Sequence, residues 1–548
     1  MNRWIPLLGL ACGLGACTLV ELTNGQRPPA GEGGGGEMGG AGPGGSGPGP
    51  GGSGGGGEAG AGGAGGEGGG PWANGLCSSG PPGSQVDWVC HFGNDEDQDW
   101  SQSRVRLASH PEGVVLVAST AEPIAFGDEP RGDVGRQNVF VVSFDRDGHP
   151  RWSQALTGTA TNKSVADVAV SPVDGSIAVA GWYENGNLEL DGVAIAARGI
   201  DGYLFVFEAD GTPRDARLFR EVAGEASINT QRAFSVAFDD AGALYVGGEY
   251  RGQLAVRSMD GTTDANAGCA LSSTAAMNME GYVLKLEPGV NGGFECAWAR
   301  KIGGALNERT TTVAALPNGG VAAGGYFRNV VTVDTTPPFS YDSPDDDSDD
   351  GFVLVLGDDG SMQAGGFVRI GGLNTDQVTQ VRADGDSLHV VGHLSSGSTT
   401  MPGCDAIQVR GGDRDAFVAQ ILLDGAMCTH ATKIASESSD DDGLGVATSA
   451  GWVGVVGIAG RDLTAGNVTM PYQGARDGFL MMLDVETGTP MHALPVGSLG
   501  DDAARAIAPV MGSPAFYVAG MYGGPIDELG LPRPTAPEDY FLARVRVP

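Results

Sequence analysis

The sequence predicts an all-β fold, a seven-bladed β-propeller of four-stranded antiparallel blades, and three observations lead to it. First, an acidic residue, a small residue, an aromatic and alternating apolars recur. The copies are Asp201-Gly202-Tyr203, Glu280-Gly281-Tyr282, Asp350-Gly351-Phe352, Asp415-Ala416-Phe417 and Asp477-Gly478-Phe479, bracketed by the looser Asn138-Val139-Phe140 and Glu538-Asp539-Tyr540. By subtraction their first positions lie 63, 79, 70, 65, 62 and 61 residues apart, and a chain of β-sandwich domains, the alternative architecture, rarely repeats so short a signature at so regular a pitch. Second, turns such as Asp145-Arg146-Asp147-Gly148 and Asp358-Asp359-Gly360 follow the signature, and Asp-Gly between alternating apolars marks a hairpin because the turn needs positive φ. Third, helical spacing of apolar residues is nearly absent.

Taken in chain order, residues 1–16 have the build of a secretory leader: one positive side chain, Arg3, then an apolar run too short to span a bilayer. The run ends in Leu14-Gly15-Ala16-Cys17, which resembles the lipobox of bacterial lipoproteins. That resemblance implies cleavage before Cys17 and lipidation of its thiol, hence a membrane partner through an N-terminal anchor. Thr18 follows where an inner-membrane retention signal would place Asp, so an outer-membrane location is expected. Residues 17–71 form a linker; Gly31–Gly70 holds 26 Gly in 40 residues, which cannot bury a core and reads as a disordered tether. A Gly-rich coil of that length spans roughly 35 Å.

Residues 72–84 are a cysteine-containing lead-in, and 85–548 are assigned to the propeller. In each unit an apolar inner strand leads through a turn into a small, Gly-ended second strand, such as Ile177-Ala178-Val179-Ala180-Gly181 or Phe516-Tyr517-Val518-Ala519-Gly520. A variable connection, the signature strand and a fourth strand follow. The fourth carries a bulky residue four positions before an apolar one: Trp152 with Leu156, Trp298 with Ile302, His430 with Ile434, His492 with Val496. Trp88 with Phe92 repeats that spacing ahead of the first unit, while the chain stops after a signature strand. The N-terminal strand is therefore expected to complete the last blade and close the ring.

With its Asp-aromatic-Val strand, its Asp-x-x-Gly turn and its Val-x-Val-x-Gly strand, the unit resembles the bacterial SBBP-type propeller repeat and, more distantly, NHL-like repeats. The resemblance covers roughly residues 85–548 and implies a secreted or surface protein. It departs from the family at Ile434-Ala435-Ser436, where the usual Gly-Gly ending is lost.

The chemistry is sparse. Lys+Arg is 32 against Asp+Glu 67, a net charge of -35 that repels phosphate backbones, so no nucleic-acid partner is expected. Beyond Cys12 and Cys17 six cysteines remain, and of 15 pairings the placement in the repeat favours Cys77 with Cys90, Cys269 with Cys296 and Cys404 with Cys428, buried free thiols being the alternative. Asp346-x-Ser348-x-Asp350 has the alternating oxygens of a calcium loop but lacks the later Glu, so a solvated acidic loop competes with calcium, the one cofactor considered. His389 and His393 share a strand face without a third ligand, and no catalytic motif occurs in the repeats.

Uniform strands with diverse connections suit recognition. The expected function is a monomeric, surface-displayed binding or scaffold module for a protein or glycan partner. The alternative is a hydrolase or lyase acting on glycans or peptides at the channel mouth. Convergent ionisable groups there would favour the enzyme, aromatic and Arg anchors the binder.

Overall fold

The computed structural model describes residues 77–93 and 104–548, apart from 121–122, 127–130, 191, 198, 222–229, 259–268, 275–277, 290–291, 318, 344–347, 396, 410–413 and 535–537. Cys17, the Gly-rich stretch and Asp346 lie outside the described residues.

The architecture is all-β and propeller-like. Among the described residues, strands pair in chain order as four-stranded antiparallel sheets, the second and third of which are joined by outer strands and one parallel bridge, Ile200 to Thr230, into a larger sheet. The first sheet is Val105–His110, Gly113–Thr120, Asn138–Asp145 and Pro150–Leu156. The inner strands of the next six are Asn162–Val170, Thr230–Phe238, Arg309–Ala315, Asp376–Asp384, Asp442–Ser449 and Ala503–Pro509. The last sheet draws on both ends of the chain: Ala503–Pro509, Ala515–Tyr522 and Asp539–Arg546 are followed by Val86–Phe92, with Trp88 opposite Arg544 and Phe92 opposite Tyr540. Cys77–Ser79, inside the lead-in, adds a fifth strand. Inner strands of successive sheets touch one another, and Ala503–Pro509 also touches Val105–His110.

The repeat signature has a steric meaning. In six sheets the Gly ending the second strand (Gly181, Gly248, Gly325, Gly392, Gly457, Gly520) lies so close to an inner-strand carbonyl oxygen that a Cβ would overlap it. The opposing signature aromatic, such as Tyr203 or Phe417, covers the same Gly from the other side. The hairpin Gly serves the contact between sheets. Trp88, Trp152 and Trp298 donate their indole N–H to the carbonyls of Arg146, Ala209 and Asp358 in the next sheet's turn, at 3.0, 3.0 and 2.8 Å. A Cβ on Gly211 or Gly360 would stand 2.6 or 2.9 Å from the indole, and Gly211 has φ +85°, so the turn and the tryptophan both require glycine.

The signature acids are buried and belong to the sheets. Asp201 pairs with Arg220 (2.9 Å), Asp350 with Arg369 (2.8 Å) and Asp415 with Lys433 (3.1 Å), each base standing on the fourth strand. In the last sheet Asp539, not Glu538, takes the acid's register, since Phe541 faces Gly520. Three disulfides are present: Cys77–Cys90, Cys269–Cys296 and Cys404–Cys428. The last two tie a second-to-third connection to the fourth strand of its own sheet.

The sixth sheet breaks the acid-base pattern. Pro495 stands opposite Phe479, where the fifth sheet has Lys433 opposite Phe417. Asp477 is consequently buried without a base, and burial, with the Asp502 charge nearby, pushes its carboxyl up to about 6. A raised carboxyl stabilises the fold fully below its ordinary 3.8, and that contribution is lost as pH rises through about 6. Urea midpoints are expected to fall between about pH 4 and pH 6, and Asp477→Asn or Pro495→Lys should flatten that fall by removing the titration or supplying the missing cation. Parallel profiles for parent and variants would contradict the assignment.

Candidate functional site

The inner strands converge at the centre, and their local irregularity decides what is presented there. In six of them the pairing register slips by one residue, between Val165 and Asp167, Ala233 and Ser235, Thr310 and Thr312, Val378 and Gln380, Gly443 and Gly445, and Ala504 and Ala506. Such a bulge re-aims the extra side chain. Thr311 and Thr379 use theirs to donate to the next inner strand, at Val378 O (2.6 Å) and Gly443 O (2.5 Å). The residue after the bulge accepts from the next sheet: Val236 N–H to Asp167 (3.2 Å), Val313 N–H to Ser235 (3.0 Å), Val381 N–H to Thr312 (3.1 Å) and Val446 N–H to Gln380 (2.7 Å).

At the end of the channel where the inner strands finish lies a cavity of about 330 Å³. All the inner strands line it, mostly through Ala, Val and Leu, and Arg382 is the one charged lining residue among those described. The opposite end, where inner strands begin and second strands end, is different. Trp182, Glu249, Tyr326 and His393 each follow a second-strand Gly, and each stands beside the start of an inner strand, opposite Ser164, Arg232, Arg309 and Gln377.

Arginines and rings interleave at this mouth. The Arg104 guanidinium carbon lies 4.7 Å from the Trp182 ring centre and that of Arg232 5.7 Å from it; Arg309 stands 4.9 Å from Phe234 and 5.4 Å from Tyr326. Trp182 meets Phe234 edge-on at 5.4 Å. These are cation–π distances. Glu249, only 1% exposed, accepts from Arg232 Nη1 and Arg309 Nε, both at 2.7 Å. The Arg309 value is shifted upward: burial alone would lower it, and the Glu249 charge outweighs that.

Among the described residues Arg104 has no such partner. Burial, then the repulsion of Arg106, Arg309, Arg505 and Arg232, pulls it down to about 9. Burial likewise lowers Arg106, which donates to Val105 O at 2.8 Å and feels the Asp167 charge without pairing with it. Asp167 Oδ2 is taken by Ser235 Oγ (2.7 Å) and Val236 N–H. Across the channel the chemistry changes. His393 Nδ1 lies 3.2 Å from Asp442, and Arg414 reaches the same carboxylate at 3.5 Å.

Of the residues singled out in the sequence, His393 stands at this end; the other described ones do not. Asp350 is held by Arg369 through two N–H groups and by Ser343, while the buried Ser348 hydroxyl has no hydrogen-bond partner among the described residues. Among the described residues no group of three or more His, Cys, Asp or Glu side chains could hold a metal ion. His389 is separate from His393: it is buried near Asp384, and burial lowers it to about 4. The signal that could have revealed Trp182, Glu249 and Tyr326 was a non-repeating column of the second strand, directly after its Gly. Arg104, Arg232 and Arg309 likewise stand at inner-strand starts.

No protein-family model and no curated protein matches the chain. Among solved structures it is similar to the β-propeller domain of Cps50 (Swd1) from Myceliophteria thermophila, with TM-score 0.35, 11% identity, and 84% of this chain and 100% of that one covered. It is also similar to the Dos1 propeller (0.34, 10%, 82% and 94%) and to the WD40 domain of Neurospora crassa Pan2 (0.35, 8%, 83% and 95%). The class to which the chain is assigned, an all-β protein of propeller type, rests on its strand pairing.

Because Glu249 alone clamps Arg232 and Arg309, Glu249→Gln should destabilise the protein by about 1.5–3 kcal/mol, the range for hydrogen bonds to charged groups. A urea midpoint lowered at constant slope is the expected result. An unchanged midpoint would mean that solvent screens both ion pairs.

Proposed function

We propose that the chain is a lipid-anchored, surface-displayed binding module, a seven-bladed ring whose contact face is the arginine–aromatic mouth. The N-terminal strand closes the ring, Cys17 carries the lipid, and the Gly-rich linker holds the domain clear of the outer membrane. Seven sets of four strands with successive inner-strand contacts support the blade count. The pairing of Val86–Phe92 with Asp539–Arg546 supports closure, as does Trp88, which reaches the first sheet's turn in the same way that Trp152 reaches the second's.

The observation that carries the binding reading is a coincidence of place. Connections between second and third strands vary most, and they leave the sheets at the end where Arg104, Arg232, Arg309, Trp182, Phe234 and Tyr326 converge. Half-buried rings beside guanidiniums are anchor chemistry. Arginines stay protonated near neutrality and neither take nor give a proton, so this end favours holding a ligand over turning one over. A tether adds search volume for an anchored binder, which a soluble substrate would not require.

Removing residues 77–93 should uncover the edge of Asp539–Arg546 and the first sheet's turn, lowering and broadening thermal unfolding. A truncated chain that melts as sharply and as high as the parent would overturn closure. For the contact face, the full chain and its Trp182→Ala/Tyr326→Ala variant are compared for retention of envelope components. Loss of retention at an unchanged melting temperature is the expected result. Equal retention, or release of reducing ends or free amines from those components by the chain, would overturn the binding reading.

A further inference from the structure

We infer that the mouth takes an acidic saccharide, a sugar ring bearing a carboxylate or sulfate group, seated against Arg104 beside the Trp182 ring. This rests on the reading of the mouth as the contact face and adds the chemistry of what it holds. In a chain of net charge -35, the guanidiniums of Arg104, Arg106, Arg232, Arg309 and Arg505 are near enough for their charges to act on one another. Such a gathering of like charge is unfavourable in itself and needs anions to offset it.

Among the described residues the protein's own carboxylates do not complete it. Glu249 is engaged by Arg232 and Arg309, and Asp167 by Ser235 and Val236. Among the described residues no carboxylate pairs with Arg104 or Arg106, and the buried Nε of Arg232 has no acceptor. An oxyanion entering from solvent would supply what is missing, and a guanidinium fork matches a planar carboxylate or a sulfate edge.

Rings at the same place select the rest of the ligand. Trp182, Phe234 and Tyr326 are half-buried, offering partial ring surfaces rather than a deep apolar pocket. A peptide adding itself as a strand would need a free backbone edge. Here inner-strand backbone groups are already taken up by the Asp167, Ser235, Thr312 and Gln380 bonds between sheets, so strand addition at the axis is disfavoured. A compact sugar ring with one charged group fits both features.

Calorimetry on the full chain with a galacturonate trisaccharide, a galactose trisaccharide, a sulfated galactose disaccharide and poly-glutamate tests this. The uronate and the sulfated sugar separate carboxylate from sulfate as the source of the anion, and at least one should bind about tenfold or more tighter than neutral galactose, the order expected of a charge-assisted bidentate contact. Arg104→Met should abolish that preference. Arg104→Lys, which keeps charge without the fork, should restore part of it, and this guards against a merely misfolded variant. Acidic sugars that bind no better than galactose, an unchanged preference in Arg104→Met, or binding of poly-glutamate alone would overturn the inference, the last in favour of an acidic protein. If retention of envelope components still depends on Trp182 and Tyr326 while acidic sugars fail, the contact face stands and the ligand class falls. If both fail, both readings fall.

Discussion

The antiparallel pairing of Val86–Phe92 with Asp539–Arg546 is the interaction on which the remainder depends. Without it the last sheet has three strands and an open edge, a template for unwanted pairing. The same strand brings Trp88 to the carbonyl of Arg146, so one element finishes its own sheet and packs against the first. Cys77–Cys90 holds that strand from its outer side. Since its two partners lie at opposite ends of the chain, this contact has a very large loop-closure cost, and the entropy must be offset by the whole set of sheets forming together.

Crowding at the axis explains the rest of the signature. Inner and second strands approach so closely that glycine is required where the signature aromatic also lands. The bulges that relieve the geometry turn Phe234 and Arg505 out of register and free Asp167, Ser235, Thr312 and Gln380 to bond across sheets. Polar satisfaction of the centre is therefore achieved by side chain to backbone bonds, which leaves the mouth residues out of the scaffold's own accounting.

Charge is distributed with the same division of labour. The conserved-looking acids of the repeat, Asp201, Asp350 and Asp415, are neutralised inside their sheets by fourth-strand bases. Where that base is replaced, at Pro495, the acid takes up a proton more readily instead. The arginines at the mouth have no comparable duty in the strands. Glu249 steadies two of them, and Arg104 lies against the Trp182 ring despite the repulsion of its neighbours.

The four-stranded unit, its hairpin turns, the three cysteine pairs and the place of the N-terminal strand beside the last one were legible in the sequence. Each is a local or periodic property: alternation, Asp-Gly turn chemistry, or the repeated offset of Trp88 and Phe92. The second strand's Gly was legible too, although its steric reason was not. The arginine–aromatic mouth was invisible in advance. Arg104, Trp182, Arg232 and Arg309 lie on or beside inner and second strands of four sheets, tens of residues apart, and a repeat reading discards as noise the positions where copies differ. Only tertiary structure could decide that those unlike residues share one end of one axis. Wrapping the sheets around a centre converts equivalent positions along the chain into neighbours in space, and one-residue bulges, which no composition or period records, set which side chain each strand turns toward it.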